Sequence, residues 1–488
     1  MVFDDSRLLF FDRRHIESAE NVTLTLNPPR KMGPCLAVER DWEIKGVRAY
    51  CIVQSPSKHE YRLYYKVEVE DRMCLAFAVS TDGITWDRPD LGVVEFGGST
   101  ANNLVDIDGQ RPNEVCIFVD PTGPDEHRYK LVCHSPEIGG MFLLTSPDGL
   151  RFRRAEGFLL RFITDNNNSS FYDPRIGRYV IYLRGWDRSR PIPPIEGTRS
   201  ILRAETDDLF KPIPIDENAP EQWHLQPKWT DIHDGGLRRM NRELPTAMRC
   251  DDLDPPEAGL YQAAAVQYLP EAYLAFPSLY YSFPWPPAGA FINDGLLDLQ
   301  FASSRDGIQW QRDFRGSYVR LDLPDGPCTK MMHMLTGMIP HGYHISQYYV
   351  GGRRSHGEGR TSKDVKVHSP ATAGNPIAHR LEQRLDGFVS ADSAYTGGRL
   401  VTAPFELLSP ELRLNIDTSA SGVARAALLD EEGKVIPGCS LEDCDRIQGN
   451  DTAYVVSWSG RSDLSQHLGR RLKLRLESRS AKLFAVYP

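Results

Sequence analysis

The sequence lacks the features that mark exported, membrane-spanning and nucleic-acid-binding proteins. Its first residues, MVFDDSRLLFFDRRH, carry acidic side chains where a signal peptide has a basic region and an apolar core. No stretch approaches the roughly 18 consecutive apolar residues of a membrane-spanning helix. A net charge of −9 disfavours an anionic partner such as nucleic acid or a membrane surface. We therefore expect a soluble, cytoplasmic protein that binds neither nucleic acid nor membrane.

Motifs for metal and nucleophile chemistry are missing as well. The nine cysteines are irregularly spaced and include no C-x-x-C pair, which predicts free thiols. H-E-x-x-H, G-x-x-x-x-G-K-[ST] and G-x-S-x-G are all absent. Their absence disfavours a catalytic zinc site and removes the P-loop nucleotide and serine-hydrolase interpretations. We expect no metal and no cofactor.

Long helical patterns are scarce, and the sequence instead predicts short strands joined by tight turns. Its 39 glycines and 35 prolines require many turns. Within residues 164–186, Ser169–Tyr172 and Tyr179–Leu183 are typical of two antiparallel strands, with a reversal at Asp173–Gly177 between them. Comparable strand pairs recur along the chain: Val47–Val53 with Tyr61–Tyr65, Val115–Val119 with Tyr129–Cys133, and Ala263–Tyr268 with Tyr273–Phe276.

A short motif, S-x-D-G-x-x-aromatic, follows several of these strand pairs. It occurs at Ser80–Trp86, Ser146–Phe152 and Ser304–Trp310, and in degenerate form at Thr206–Phe210. Asp and Gly in this order favour a tight turn, and we expect the three aromatic residues to be buried between neighbouring sheets. The motif is therefore interpreted as structural rather than catalytic. Each repeat unit then contains four strands, which is typical of a propeller blade.

The sequence predicts an all-β chain, with a five-bladed β-propeller over residues 1–390 and a C-terminal β-sandwich over residues 391–488. The fifth blade combines Met331–Met338, His344–Val350 and a strand near His379–Gln383, with Leu8–Phe11 helping to close the ring. Beyond Tyr395 the strands alternate without the motif. They are expected at Leu412–Ile416, Ala424–Leu429, Ala453–Trp458, Leu472–Leu476 and Leu483–Tyr487.

Five blades followed by a sandwich resemble glycoside hydrolase family 32, the invertase-like enzymes, whose propeller is shared with families 43, 62, 68 and 130. Phe10–Asp12 with Ile16–Glu17, Asp41–Glu43, Asn293–Gly295 and Asp386–Val389 are similar to uncharacterised bacterial proteins labelled as family-32-like hydrolases. The invertase motifs W-x-N-D-P-N-G, R-D-P and E-C do not occur. The resemblance implies a glycosidase, a hydrolase of O-glycosyl bonds, whose carbohydrate substrate is a fructoside, another furanoside or a related glycoside.

In propellers of this kind the catalytic carboxylates stand at the start of the innermost strand of each blade. The resemblance therefore implies Glu43 as general acid and Asp165 as nucleophile or base, with Glu114, Glu257 and Asp12 in reserve. Long loops that reach the same face supply the substrate-binding candidates. These are Trp42, Asn166, Asn167, Arg184, Trp186, Tyr261, Trp285, Asp294, Lys330, His333, Arg354 and His356.

Two alternatives remain open at the level of the sequence. The basic run Gly351–Gly357 could hold a phosphate, which motivates a phosphate-dependent glycoside phosphorylase of the family-130 kind. A non-catalytic carbohydrate-binding propeller is the other alternative. The sugar, its linkage, the stereochemical outcome and the oligomeric state, a homo-oligomer included, are not determined by the sequence.

Overall fold

The computed structural model describes residues 7–44, 47–57, 59–69, 72–111, 113–135, 140–160, 164, 167–187, 189–190, 197–214, 244–283, 293–358 and 375–488. Within these residues the chain forms β-strands and three short 3₁₀ helices, Asp41–Glu43, Asp125–His127 and Ser465–His467, and no α-helix. The all-β prediction is confirmed. None of the described helices is long and apolar enough to cross a membrane.

The chain divides into two compact units. The first centres on Lys31–Ile339 and Ser346–Glu382, and the second comprises Phe3–Arg30, Pro340–Ile345 and Gln383–Pro488. An N-terminal segment therefore belongs to the same unit as the C-terminal strands. All nine cysteines are free thiols, as predicted, and seven of them are buried.

The described strands of the first unit form six hydrogen-bonded sheets; we number the two whose strands lie within residues 258–311 together as sheet 4, which gives sheets 1 to 5. Sheet 1 contains Val47–Gln54, Tyr61–Val69, Arg72–Ser80 and Leu104–Val105; sheet 2 contains Asn113–Val119, Tyr129–Ser135, Gly140–Ser146 and Arg153–Arg154; sheet 3 contains Ser169–Asp173, Arg178–Asp187, Thr198–Thr206 and Thr246–Met248. Sheet 4 comprises two hydrogen-bonded groups of strands. The first contains Ala258–Leu260, Ser278–Ser282 and Gly295–Leu299, and the second contains Ala265–Leu269, Ala272–Ala275, Ala302–Ser304 and Trp310–Gln311. Sheet 5 contains Met331–Met334, His344–Gly352, Pro376–Arg384 and Arg30–Ala37, with Ile339–His341 beside His344–Gly352.

The last strand of sheet 5 comes from a segment that the sequence analysis did not select. Arg30–Ala37 pairs with Pro376–Arg384, so the fifth sheet joins early and late parts of the chain. The expectation that Leu8–Phe11 closes the ring is wrong. Leu8 and Leu9 pair instead with Val486 and Ala485 in the second unit, where the apolar side chains of Leu8 and Phe10 are buried in that unit's core.

The S-x-D-G motifs form tight turns, as predicted. In the first, the Ser80 hydroxyl accepts the N–H of Gly83 at 2.8 Å and donates to Asp82 Oδ1 at 3.0 Å. The same Oδ1 accepts the N–H groups of Ile84 and Thr85 at 2.7 and 2.9 Å. The turns at Ser146–Phe152 and Ser304–Trp310 repeat these bonds. The aspartates are therefore occupied by their own turns.

A tyrosine from a neighbouring sheet holds the glycine of each turn. The hydroxyl of Tyr348 in sheet 5 donates to the carbonyl oxygen of Gly83 at 2.5 Å. Tyr64 of sheet 1 binds Gly149 of sheet 2 in the same way at 3.0 Å, and Tyr182 of sheet 3 binds Gly307 of sheet 4 at 2.5 Å. These contacts join sheet 5 to sheet 1, sheet 1 to sheet 2 and sheet 3 to sheet 4.

The aromatic residue of each motif packs on the same inter-sheet seam. The Trp86 ring meets Tyr348 edge-on at 5.7 Å, and the Trp310 ring meets Tyr182 edge-on at 5.6 Å. Trp86 and Phe152 are buried, as expected. Trp310 is only half-buried, because its ring covers the tyrosine from the outer side of the seam and its Nε1 bonds back to its own turn.

The first strands of the sheets also bond to one another. Ile52 of sheet 1 donates its N–H to the carbonyl oxygen of Thr336, which follows the first strand of sheet 5, at 2.8 Å. Ala265 of sheet 4 donates its N–H to the hydroxyl of Ser169 in sheet 3 at 3.0 Å. The polar residues at the starts of these strands are thereby brought close together.

The second unit is organised around one large sheet. Its strands follow the order Ile16–Glu20, Gly398–Thr402, Arg471–Arg479, Arg413–Leu429, Ala481–Tyr487, Val389–Ser393 and Val22–Leu26, with Leu8–Leu9, Phe405–Glu406 and Ile447–Val455 attached at its sides. Leu414, Leu474 and Trp458 lie in its buried core.

Two predicted strands of this unit are one long strand. Leu412–Ile416 and Ala424–Leu429 were expected to be separate, but Arg413–Leu429 is continuous. Its first half pairs with Ala481–Tyr487 and its second half with Arg471–Arg479. A left-handed residue, Ser419 with φ 50°, lies between the two halves, which explains why the sequence pattern is interrupted there.

The tyrosine contact on Gly83 predicts how two similar substitutions differ. Gly83 and Gly92 both have positive φ, 71° and 67°, but a Cβ on Gly83 would lie 2.6 Å from the Tyr348 hydroxyl oxygen, whereas a Cβ on Gly92 meets nothing within 4 Å. Gly92→Ala should lower the free energy of unfolding by about 1–2 kcal/mol through backbone strain alone. Gly83→Ala should lower it by about 1–3 kcal/mol more through the clash. Chemical denaturation measures both, and equal losses would contradict an inter-sheet role for this contact.

Candidate functional site

Glu114 stands at the start of the first strand of sheet 2 in an unusual backbone conformation. Its φ of 52° lies in the left-handed region that non-glycine residues rarely adopt. The pairing of Asn113–Val119 with Tyr129–Ser135 shifts register between Val132 and His134, which marks a bulge beside Glu114. A bulge re-aims a side chain, and strained residues concentrate at functional sites. Glu114 is therefore the first candidate of this site.

The carboxylate of Glu114 has one engaged and one unengaged oxygen. Oε1 lies 2.7 Å from Arg48 Nη1, whereas Oε2 is buried and has no hydrogen-bond partner among the described residues. The hydroxyl of Tyr50 nearby is likewise buried without a partner. Glu114 and Arg48 also act on Lys66: burial lowers the pKa of Lys66, the Glu114 carboxylate raises it and the Arg48 guanidinium group lowers it. Buried polar atoms without partners are exceptional, and such a grouping indicates a place that a ligand or water completes.

Tyr261 of sheet 4 and His356 after the second strand of sheet 5 form a hydrogen-bonded pair. The Tyr261 hydroxyl lies 3.1 Å from Nε2 of His356, and Nδ1 of His356 lies 2.8 Å from the carbonyl oxygen of Asn293. A carbonyl oxygen only accepts, so Nδ1 of His356 carries a proton; in the neutral imidazole, Nε2 then accepts from the tyrosine hydroxyl. The pair is thus arranged to pass a proton between the phenol oxygen and the imidazole.

Two buried arginines of sheet 3 flank the Tyr261 ring. The Cζ of Arg184 lies 4.4 Å from the ring centre, and the Cζ of Arg199 lies 5.3 Å from it. Arg184 also donates from Nε and Nη2 to the Tyr261 carbonyl oxygen, at 3.2 and 2.9 Å. The Trp186 ring lies beside both guanidinium groups, 5.9 and 5.2 Å away. Cation–π attraction stabilises this stack.

His333, at the start of sheet 5, connects these rings with the Glu114 side of the site. Its ring centre lies 5.2 Å from that of Tyr261. Burial holds the pKa of His333 well below its ordinary value, and Arg48, His356 and Arg184 act in the same direction. The imidazole is therefore neutral near pH 7. We call the following residues the mouth cluster: Arg48, Glu114, Arg184, Arg199, Tyr261, His333 and His356.

The mouth cluster includes Glu114 and several of the substrate-binding candidates from the sequence. Arg184, Tyr261, His333 and His356 belong to it and Trp186 packs against it. Asn167 lies beside it, where its Nδ2 donates to the carbonyl oxygen of Tyr50 at 3.4 Å. These residues come from sheets 1 to 5, so only the folded chain brings them together.

Four further candidates lie in the surrounding loops or next to them. Asp294 Oδ1 accepts the N–H groups of Gly295 and Gly357 at 2.7 Å each, which fastens the loop bearing His356 to sheet 4. Lys330 pairs with Glu358 at 2.6 Å in a partly exposed ion pair. Arg354 is exposed, and Glu257 is half-buried just before Ala258–Leu260.

Glu43, the residue expected to be the general acid, is fully buried and saturated with donors. Its Oε1 accepts from the Tyr65 hydroxyl and from Arg88 Nε, both at 2.7 Å. Its Oε2 accepts the backbone N–H groups of Glu39 and Arg40 at 2.8 and 3.0 Å. Neither oxygen is left for a proton or a substrate, so this geometry favours a structural role.

Trp42 and Asp12 also take part in local structure. Trp42 donates from Nε1 to Asn103 Oδ1 at 2.9 Å, and its ring packs edge-on against Phe96 at 5.7 Å. Asp12 belongs to the second unit, where it accepts the N–H of Arg14 at 2.9 Å. Three other candidates, Asp165, Asn166 and Trp285, lie outside the described residues.

The sequence analysis missed Arg48, Tyr50, Arg199, Tyr280 and Asn293. The sequence predicts Gly185–Thr198 as one of the long loops, and Arg199 immediately follows it, so a rule that extends each loop by one residue would have found Arg199. Arg48 and Tyr50 give no such signal, because both fit an ordinary alternating strand. No group of three or more His, Cys, Asp and Glu side chains that could hold a metal occurs in the described parts of the chain.

The geometry of Glu43 predicts a loss of stability on substitution. Glu43→Gln leaves Arg88, whose side chain is 4% exposed, as a buried cation facing an amide. Breaking a buried ion pair on one side lowers the free energy of unfolding by about 3–5 kcal/mol. Urea denaturation measures this loss, with Glu39→Gln as the control, because Glu39 meets the same arginine through a side chain that is 64% exposed. A stable Glu43→Gln variant would contradict the structural role.

No family model matches the chain, and no curated protein matches it. Among solved structures, one is described by the words "The GH130 family of mannoside phosphorylases contains glycoside hydrolases that target beta-1,2 mannosidic linkages in Candida mannan". It is 12% identical to this chain, with a TM-score of 0.41 over 73% of this chain and 93% of that one. A glycosyl hydrolase from Bacteroides ovatus is 12% identical, with a TM-score of 0.40 over 73% and 99%. The α-L-arabinofuranosidase PaAbf62A from Podospora anserina, in complex with cellotriose, is 11% identical, with a TM-score of 0.39 over 74% and 98%. At these values the similarities assign neither substrate nor reaction to this chain.

Proposed function

We propose that this chain is a glycosidase and that the mouth cluster is its active site. One observation supports the proposal above others: Glu114, strained and with one unengaged carboxylate oxygen, shares a cluster with the hydrogen-bonded Tyr261–His356 pair. Trp186 and Tyr280 add flat apolar rings beside the arginines, a surface that suits the C–H faces of a sugar.

The chemistry of glycoside cleavage matches these groups. An acetal needs a carboxylate that attacks the anomeric carbon or activates water, and an acid that protonates the leaving oxygen. Glu114 supplies a carboxylate. Tyr261 donates its hydroxyl proton to the leaving oxygen as the glycosidic bond breaks, Glu114 takes a proton from the water that attacks the anomeric carbon, and that proton restores the Tyr261 hydroxyl, which His356 orients. The guanidinium groups of Arg184 and Arg199 stabilise negative charge as it develops on oxygen.

The carboxylate roles are revised relative to the sequence. Glu114 takes precedence over Glu43, because both oxygens of Glu43 are engaged by donors. Asp165 is kept as the second carboxylate, since it lies two residues before Asn167 in the chain. Glu257 and Asp12 stay in reserve.

We also propose that sheets 1 to 5 are the blades of a five-bladed propeller and that the second unit is a β-sandwich. The tyrosine–glycine contacts and the bonds between first strands support a ring, because they join sheet 5 back to sheet 1. The grouping of Phe3–Arg30 with the C-terminal strands indicates that the sandwich is built from both ends of the chain.

A screen of glycosides with and without inorganic phosphate tests the reaction class. Sugar release without phosphate indicates hydrolysis, and release that requires phosphate with formation of a glycosyl phosphate indicates phosphorolysis. Sugar binding without turnover by either route would contradict the enzyme proposal and leave the carbohydrate-binding alternative. A furanoside series, including fructosides, belongs in the panel.

Removal of the Glu114 carboxylate should abolish most of the activity. Glu114→Gln keeps the size and the hydrogen-bonding shape but removes the charge that the reaction uses, so kcat should fall by about 10²-fold or more. Steady-state kinetics on the best glycoside of the screen measure it. Glu126→Gln, in the exposed helix Asp125–His127, is the matched control and should retain activity; unchanged kcat in Glu114→Gln would move the role to another carboxylate.

Removal of the Tyr261 hydroxyl tests the proton-carrying pair. Tyr261→Phe keeps the ring against Arg184 but removes the proton, so kcat should fall by about 10²-fold on substrates with poor leaving groups. Substrates with an activated phenol leaving group need little protonation and should lose much less. A loss that is equal for both kinds of leaving group would contradict a role in protonation.

A further inference from the structure

Arg199 is a buried cation for which the described residues provide no anionic partner. The residue is 5% exposed, and its Nη2 donates to the amide oxygen of Asn293 at 2.7 Å. Its Cζ lies 4.4 Å from the centre of the Tyr280 ring. No ion pair found in the described residues includes Arg199, and its Nε has no hydrogen-bond acceptor among them.

The carboxylates of the surrounding elements are engaged elsewhere. Glu114 pairs with Arg48 at 2.7 Å. Asp294 Oδ1 accepts two backbone N–H groups. Glu358 pairs with Lys330 at 2.6 Å. Among the described residues, the Arg199 guanidinium group contacts aromatic rings and one neutral amide.

Such a cation is unfavourable in the absence of a ligand. Removing an ion from water costs more free energy than a cation–π contact returns. Two further guanidinium groups, those of Arg48 and Arg184, lie close enough to His333 to lower its pKa, although burial is the larger cause of that shift. Structures retain an uncompensated charge of this kind where a ligand supplies the opposite one.

We propose that the ligand of the mouth cluster carries an oxyanion, either the carboxylate of an acidic sugar or a phosphate, and that Arg199 is its counter-charge. That this ligand is a glycoside rests on the proposed function, whereas the charge argument does not. A planar guanidinium group donates to both kinds of oxyanion through parallel N–H groups. The rings of Trp186 and Tyr280 would border the uncharged part of the ligand.

Ligand binding without turnover tests this directly. Thermal shift and isothermal titration calorimetry are run on the full chain with D-glucuronate, D-galacturonate, D-glucose, D-galactose and inorganic phosphate. At least one oxyanion should raise Tm and bind about tenfold or more tightly than the neutral sugars, as a charge-assisted hydrogen bond predicts. Binding of a uronate but not phosphate identifies the acidic sugar as the source; the reverse identifies phosphate.

Three variants separate Arg199 from general charge effects. Arg199→Gln should lose the preference for the oxyanion, and its ligand-free Tm should equal or exceed that of the unmodified chain, because an uncompensated charge is gone. Arg199→Lys keeps the charge and should retain part of the preference, which guards against a folding defect in the glutamine variant. Arg151→Gln removes the same charge from an exposed turn and should change nothing.

The proposal is overturned if no oxyanion shifts Tm, or if Arg199→Gln binds oxyanions as tightly as the unmodified chain. Turnover of neutral glycosides without any oxyanion effect would leave the proposed function standing and remove this inference. Oxyanion binding that depends on Arg199, with no turnover of any glycoside, would support this inference and remove the proposed function.

Discussion

The hydrogen bond from a tyrosine hydroxyl to a glycine carbonyl in the neighbouring sheet is the contact on which the first unit depends. Each such bond needs a turn whose glycine carbonyl points towards the neighbouring sheet. The Ser and Asp side chains of the S-x-D-G motif hold the turn in that conformation. Glycine is required because a Cβ would occupy the space of the hydroxyl. A side-chain motif of seven residues thus fixes the spacing between whole sheets.

This spacing matters at the opposite ends of the strands, where the mouth cluster lies. Its members come from different sheets, and none of their contacts is local in sequence. The Tyr261–His356 hydrogen bond joins residues that are 95 positions apart. Preorganised dipoles and charges act on a reaction only if their positions are held, so rigidity of the ring is a condition for the proposed chemistry.

The sequence predicted what depends on local pattern and missed what depends on assembly. Strand pairs such as Ser169–Asp173 with Arg178–Asp187 follow from alternation and turn residues, and they appear where expected. The last strand of sheet 5 was misplaced, because Leu8–Phe11 is as apolar as a core strand, whereas Arg30–Ala37 contains two charged residues, a glycine and a proline and is half exposed. Pattern alone does not say which core an apolar segment joins.

The site shows the same division between local and assembled features. Residues at strand starts and in long loops, such as Tyr261 and His356, were selected by topology. Glu43 was selected by the same rule, yet the ion pair with Arg88, 45 positions away, occupies it. Arg199 was missed because only the folded structure shows that a guanidinium group is surrounded by rings instead of carboxylates.

The pairing of Arg30–Ala37 with Pro376–Arg384 has a consequence for the order of folding. Sheets 1 to 4 are contiguous in sequence and can form as each is synthesised, but sheet 5 must wait until nearly the whole of the first unit exists. The entropic cost of closing a loop rises only slowly with its length, but contacts between residues that are far apart in sequence form late, so this pairing slows folding. Until then, the exposed edge of Pro376–Arg384 is available to a strand from another copy, so exchange of Arg30–Ala37 between chains competes with correct closure at high concentration.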